Sequence, residues 1–178
     1  TEAGSAFVKG WLSFDLPQKL DYQALIHFEQ SEQGLRAMRD YLRPRDGFKL
    51  TDNGMSLRQA MGQVNYCVYC HKNDGDYCST GFPAKPRNPE LGFKENPLDE
   101  LLTGCPLEEK ISEMHSLKRD TFSLGALAMV MRDNPMCPAT GHRICNDCMK
   151  ACIYQKQTPV DIPQIETRVL KDVLELPW

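Results

Sequence analysis

Apolar positions along this chain recur mostly at helical spacing. Between Leu20 and Leu42, residues Leu25, Ile26, Leu35, Met38 and Leu42 fall near one stripe of a helical period, and Pro44 closes the segment, so the pattern predicts a helix with a packing face. Ser56 followed three residues later by Gln59 has capping-box spacing and predicts a short helix that runs to Tyr66 and delivers Cys67. From Lys72 to Thr103 the chain carries Asn-Asp-Gly-Asp, Gly-Phe-Pro, Lys-Pro-Arg-Asn-Pro and Asn-Pro, a density of turn formers that excludes a long regular element. Pro106 then stands where a first helical residue often stands, with Leu107, Ile111 and Met114 as the apolar face behind it. A second helix is expected from Asp120 to about Met131, broken by Asn134-Pro135. Asp161 and Gln164, with Pro163 between them, open a last helix whose Ile165, Val169, Leu170 and Val173 can pack. No strand-rich region is visible, so the fold class expected is mostly α with long loops.

Composition changes this picture in only one respect. With 178 residues, 41% hydrophobic and 25% charged, the chain is long enough to bury a core without cross-links. It nevertheless has eight cysteines, a proportion below the roughly 8–10% that marks a disulfide scaffold. A formal net charge of -3 gives no general attraction to nucleic acid or to anionic lipid. Phe122 to Met131, the longest nearly apolar stretch, is about half the roughly 20 residues of a membrane span. The N-terminus has no basic-then-apolar leader pattern and the chain no Asn-x-Ser/Thr sequon, so a reducing cytoplasm is the expected compartment. The abrupt apolar end Leu176-Pro177-Trp178 suggests a polypeptide cut from something longer.

The thiols fall into two groups of four. The first is Cys67-x2-Cys70-x7-Cys78, followed after 26 residues by Cys105-Pro106; the second is Cys137-x7-Cys145-x2-Cys148-x3-Cys152. A two-residue gap lets both thiolates of a tight turn face one metal centre, and a three-residue gap on a helix puts two sulfurs one turn apart. Disulfides are disfavoured by the compartment and the adequate core. Two zinc sites remain the rival, although a four-thiolate zinc site usually presents two Cys-x2-Cys pairs and each group here offers one. Two 4Fe-4S clusters account for all eight thiols. No histidine pair has His-x3-His spacing, which discounts His71, His115 and His142 as ligands, and His142 is expected to donate hydrogen bonds near a cluster. Met129, Met131 and Met136 read as core fillers. Arg36, Arg39, Arg43, Arg45 and Lys49 read as a solvated helix face. No Gly-x-Gly-x-x-Gly or Walker loop is present, so nucleotide binding within this chain is not expected.

Cys67-Val-Tyr-Cys70, Gly104-Cys105-Pro106-Leu107, Asn134-Pro135-Met136-Cys137-Pro138, Cys148-Met-Lys-Ala-Cys152 and Pro159-Val-Asp-Ile-Pro-Gln-Ile-Glu166 together resemble the N-terminal iron-sulfur domain of the glutamate synthase small-subunit family, shared with dihydropyrimidine dehydrogenase and related FAD-dependent NAD(P)H oxidoreductases. The resemblance covers somewhat over half the chain. It implies an α-helical ferredoxin-like domain over residues 66–178, with residues 1–65 an added N-terminal helical extension. It implies interleaved ligands: Cys67, Cys70, Cys78 and Cys152 for one 4Fe-4S cluster, and Cys105, Cys137, Cys148 and one more for the second. Cys145, a soft thiolate, is preferred for that last position over Glu166, where the family often has a carboxylate or amide. The gaps on either side of Cys78 exceed the family's compact spacing, so the loop after it must fold out of the way for Cys78 to serve. By the same resemblance this chain relays electrons to or from an FAD- and NAD(P)H-binding flavoprotein region or partner, and a second redox acceptor, without catalysis of its own. A zinc-stabilised helical protein-interaction module is the alternative.

Overall fold

The computed structural model describes residues 19, 27–42, 44–85, 88–142 and 144–177. The fold is mostly α. Among the described residues the regular elements are two strands, β1 (Phe28–Ser31) and β2 (Gly34–Ala37), and the helices α1 (Leu57–Tyr66), α2 (Tyr77–Thr80), α3 (Ile111–Arg119), α4 (Ser123–Asp133), α5 (Cys137–Thr140), α6 (Asp147–Lys150) and α7 (Ile162–Leu174).

The long helices carry the core. Ala60, Met61, Val64 and Tyr66 of α1 are buried, as are Ile111 and Met114 of α3, Ala126 and Val130 of α4, and Ile162, Ile165, Val169 and Val173 of α7. These spacings of three and four residues put one apolar stripe on each helix, and the stripes meet where α3 packs on α4, α7 on α4, and α1 on both α3 and α7. Lys118 of α3 and Asp172 of α7 form a buried ion pair that Arg168 extends to Glu175 at 2.7 Å. Both caps read from the sequence set helix starts, Ser56 with Gln59 as a full capping box and Asp161 as a one-sided cap, since Gln164 Oε1 accepts from Met55 N–H instead. Ser56 Oγ accepts from Gln59 N–H at 3.3 Å while Gln59 Oε1 accepts from Ser56 N–H at 2.9 Å. Asp161 caps α7 by accepting from Gln164 N–H at 3.4 Å.

Two expectations need correction. The helix foreseen between Leu20 and Leu42 is, over its described part, a hairpin: β1 and β2 pair antiparallel, Phe28 opposite Ala37 and Ser31 opposite Gly34. Phe28 and Leu35 remain exposed, so the helical stripe had no core to bury and the Ser31–Gly34 turn decides the local structure instead. Leu25 and Ile26 lie outside the described residues. The basic residues therefore share no α-helix face: Arg36 stands on β2, Arg39 opens the one-turn 3-10 helix Arg39–Tyr41, Arg45 and Lys49 lie in a loop, and Arg43 is outside the described residues. Second, the helix behind Pro106 begins at Ile111, because Glu108 at φ 50° breaks helical continuity. Thr121 at φ 66° likewise delays α4 to Ser123. α1, which spans residue 65, packs with α3 and α7 in one hydrophobic cluster.

The turn-rich stretch after Cys78 is an excursion closed at its base. Phe82 N–H donates to Leu102 O at 2.8 Å, and isolated bridges join Pro83 to Phe93 and Glu95 to Leu101. At the base Cys105 N–H donates to Cys78 O at 2.9 Å. The pinch needs glycine: a Cβ on Gly104, at φ +76°, would lie 2.5 Å from Gly81 N and 2.8 Å from Ser79 O.

Candidate metal centres

The thiols converge on two cavities. Cys67, Cys70, Cys78 and Cys152 line one, together with Ser112 and His115 of α3. Cys105, Cys145 and Cys148 line the other, with Glu109, Asp133 and Glu166 as the acidic side chains of its wall. Cys148 and Cys152 are thus parted between the two, although three residues separate them. The expected continuous helix is absent there: α6 ends at Lys150, and the turn that follows sends Cys152 to the first cavity.

Local backbone places each thiol. Cys67 caps α1, and Tyr69, at φ 53°, takes the left-handed conformation that folds Cys67-Val-Tyr-Cys70 back on itself. Tyr69 N–H donates to Cys67 Sγ at 3.4 Å. The Tyr69 ring is held from behind, its hydroxyl donating to Val64 O at 2.9 Å and the Arg119 guanidinium lying 4.8 Å from the ring centre. α2 delivers Cys78, which is buried, so the long excursion after it does fold away from the site. Cys152 receives hydrogen bonds from the backbone near Ile153, Tyr154 and Val160, and Cys105 from Leu107 and Glu109. Tyr154 stacks on Tyr66 with ring centres 4.4 Å apart and closes the first cavity on its outer side.

Burial dominates the electrostatics. It pushes the Cys67 thiol up to about 12 and Cys137 up to about 11, and drives Cys78, Cys148 and Cys152 upward as well. Thiols held protonated in this way are poor nucleophiles, which argues against a Cys-His catalytic site. Only an electrophilic centre that bonds sulfur directly would draw thiolate from them. Glu166 is raised by burial first and by the neighbouring Glu109 second, and the two carboxyls share a proton in the wall of the second cavity.

The sequence-predicted donors do not all reach a wall. Seven of the eight thiols line a cavity, and Cys137, fully buried in the helical core, does not. It lies near enough to Glu166 and Glu109 for their charges to raise it further. Cys145 and Glu166, the two contenders for one position, both line the second cavity, Cys145 exposed and Glu166 buried. His142 does not face a cavity with a free nitrogen. It bonds Asp52 through Nε2 and Thr167 through Nδ1, each at 3.0 Å, latching the segment before α1 to α7. Met129 and Met131 pack on the core, while Met136 is exposed on the rim of the second cavity.

Sequence reasoning discounted His115 as a ligand and gave it no other role. It is completely buried, burial lowers it to about 3, and neither ring nitrogen has a hydrogen-bond partner among the described residues. An unsatisfied buried polar group costs about 1–3 kcal/mol. The signal was its three-residue offset from Ser112 on a helix whose Ile111 and Met114 face the core.

Among the described residues, no three or more His, Cys, Asp and Glu side chains are grouped so as to hold a metal ion. A single zinc ion needs all its sulfurs about 2.3 Å from one point, whereas a cubane takes one thiolate per iron and spreads its donors more widely. The donor set of each cavity, thiols from distant segments with backbone N–H groups directed at sulfur and no disulfide among them, fits the wider requirement. Among the described residues no helix is long and apolar enough to cross a membrane.

No family model matches the chain. An uncharacterized protein of Rickettsia prowazekii (strain Madrid E) is 67% identical over 43 residues, covering 24% of the chain and 6% of that protein. A second uncharacterized protein of the same organism is 33% identical over 121 residues, covering 63% of the chain and 37% of that protein. The chain therefore spans well under half the length of these two relatives.

Proposed function

We propose that this chain is an electron-transfer module that holds two 4Fe-4S clusters and relays electrons to or from an FAD- and NAD(P)H-binding region or partner in the cytoplasm. The observation that carries the reading is the parting of Cys148 and Cys152: one faces the cavity of Cys105 and Cys145, the other the cavity of Cys67, Cys70 and Cys78. This grouping agrees with the interleaving that the sequence resemblance implies.

The first cluster is assigned to Cys67, Cys70, Cys78 and Cys152. The second is assigned to Cys105, Cys145 and Cys148, with Glu166 as the fourth donor because it lines the cavity and Cys137 does not. A 4Fe-4S cluster supplies reversible one-electron transfer. The chain's own residues do the rest. Tyr66, Tyr154, Val160 and Ile162 keep water from the first centre, and the N–H groups directed at Cys67, Cys105 and Cys152 favour extra negative charge on sulfur.

Oxygen-free purification followed by iron and acid-labile sulfide analysis tests this reading, which expects about eight of each per chain in a brown protein bleached by dithionite. Colourless, folded protein with about two zinc atoms would replace it with the zinc-stabilised interaction module. In the iron-loaded protein, Glu166→Ala is expected to perturb the second cluster and Cys137→Ala to leave it in place, as read by electron paramagnetic resonance. The reverse pattern would move the fourth ligand to Cys137.

A further inference from the structure

The polar wall of the first cavity consists of four thiols, Ser112 and His115. Ser112 is committed, since its hydroxyl pairs with the His71 ring and also accepts from His71 N–H at 3.4 Å. His115 is not. Its side chain is fully buried, it lines the cavity, and neither Nδ1 nor Nε2 finds a partner among the described residues. Asn65, Ser79 and Glu113 also have unpartnered buried atoms, but none of them lines either cavity. The rest of the first cavity's wall is apolar or aromatic, with Val68, Ile153, Val160 and Ile162 among it. A neutral imidazole always carries one N–H. The acceptor available to it is whatever occupies the cavity.

We propose that His115 is a positioning residue for the centre held by Cys67, Cys70, Cys78 and Cys152, donating a ring N–H to sulfur there and raising its reduction potential. The inference rests on the two-cluster reading above and adds a role which that reading does not need. Reduction adds negative charge to the cluster and its sulfurs, so an N–H donor stabilises the reduced form more than the oxidised one. The second cavity's wall also holds Asn134 and Thr140, but Thr140 Oγ1 donates to Met136 O and the Asn134 side chain is engaged by Glu109, while the carboxyl groups of Glu109, Asp133 and Glu166 act in the opposite direction. His115 therefore biases the two centres apart in potential.

The test is a redox titration of anaerobically purified, iron-loaded chain, monitored by electron paramagnetic resonance, for the native protein, His115→Leu and His115→Gln. His115→Leu is expected to shift the first centre to more negative potential and leave the second unmoved, with His115→Gln restoring most of the shift through its amide N–H. Pulsed resonance on reduced native protein with isotopically labelled histidine is expected to show weak nitrogen coupling, and this second readout stands even where His115→Leu loses its first cluster. Full iron content with an unmoved potential, or with no histidine coupling, overturns the inference alone. Strong coupling overturns it in favour of direct ligation. A folded chain free of iron and sulfide removes the two-cluster reading itself, and this inference with it.

Discussion

The two thiol-lined cavities are walled from overlapping parts of the chain but differ in closure and in charge. The first measures about 20 Å³, the space of roughly one water, and is lined by thiols, one serine, one histidine and apolar side chains. The second measures about 550 Å³ and has Glu109, Asp133 and Glu166 in its wall and the exposed Cys145 at its rim. Four thiols packed closely behind stacked Tyr66 and Tyr154 make a shielded site. Three thiols and a buried carboxylate around an open space make a site that can meet a partner.

Breaking what the two sites share should have the largest effect. Gly104→Ala places a Cβ against Gly81 N and Ser79 O at a positive φ, at the pinch where Cys105 N–H meets Cys78 O. Backbone strain alone is about 1–3 kcal/mol, and the overlap adds to it. Both centres are expected to be lost together, with a thermal midpoint well below the native protein's by calorimetry. Retention of one centre would mean that the pinch does not join them.

Separating the sites should halve the cofactor content. Cys152→Ala is expected to remove the resonance signal of the first centre and about half the iron, leaving the second, and Cys148→Ala to do the reverse. Loss of the same centre in both variants would show that these two cysteines serve one site.

A smaller effect should follow from the difference in closure. Under a water-soluble iron chelator, visible absorbance is expected to fall in two phases, the faster one from the second centre, with rates severalfold apart. A single phase would mean that the open cavity gives no easier access than the closed one.

Much of this arrangement was legible where the determinants are local. Ser56 with Gln59 and Asp161 with Gln164 mark helix starts because a cap involves residues three apart. The close pairs Cys67–Cys70 and Cys145–Cys148, each lining one cavity, were legible for the same reason, whereas spacing alone put Cys105 and Cys152 in the opposite groups from the cavities they line. What required the fold was long-range. Leu35 and Phe28 carried a helical stripe, but nothing in the sequence said that no core would meet it. Glu108 and Thr121 take left-handed conformations that no propensity assigns to Glu or Thr, so the starts of α3 and α4 were misplaced. The burial of Cys137, a ligand by the resemblance, within α5 and the placing of Glu166, 29 positions later, on the cavity wall depend on packing that no local spacing encodes. His115 was invisible as a functional residue because its distinction is a missing partner, which only packing reveals.

Native mass spectrometry of the oxygen-free, as-purified chain puts the central claim to its most direct test. The account predicts a dominant species heavier than the polypeptide by two 4Fe-4S clusters, converting to one cluster in either Cys148→Ala or Cys152→Ala. A folded chain carrying no iron and no sulfide, or carrying zinc in their place, would contradict it.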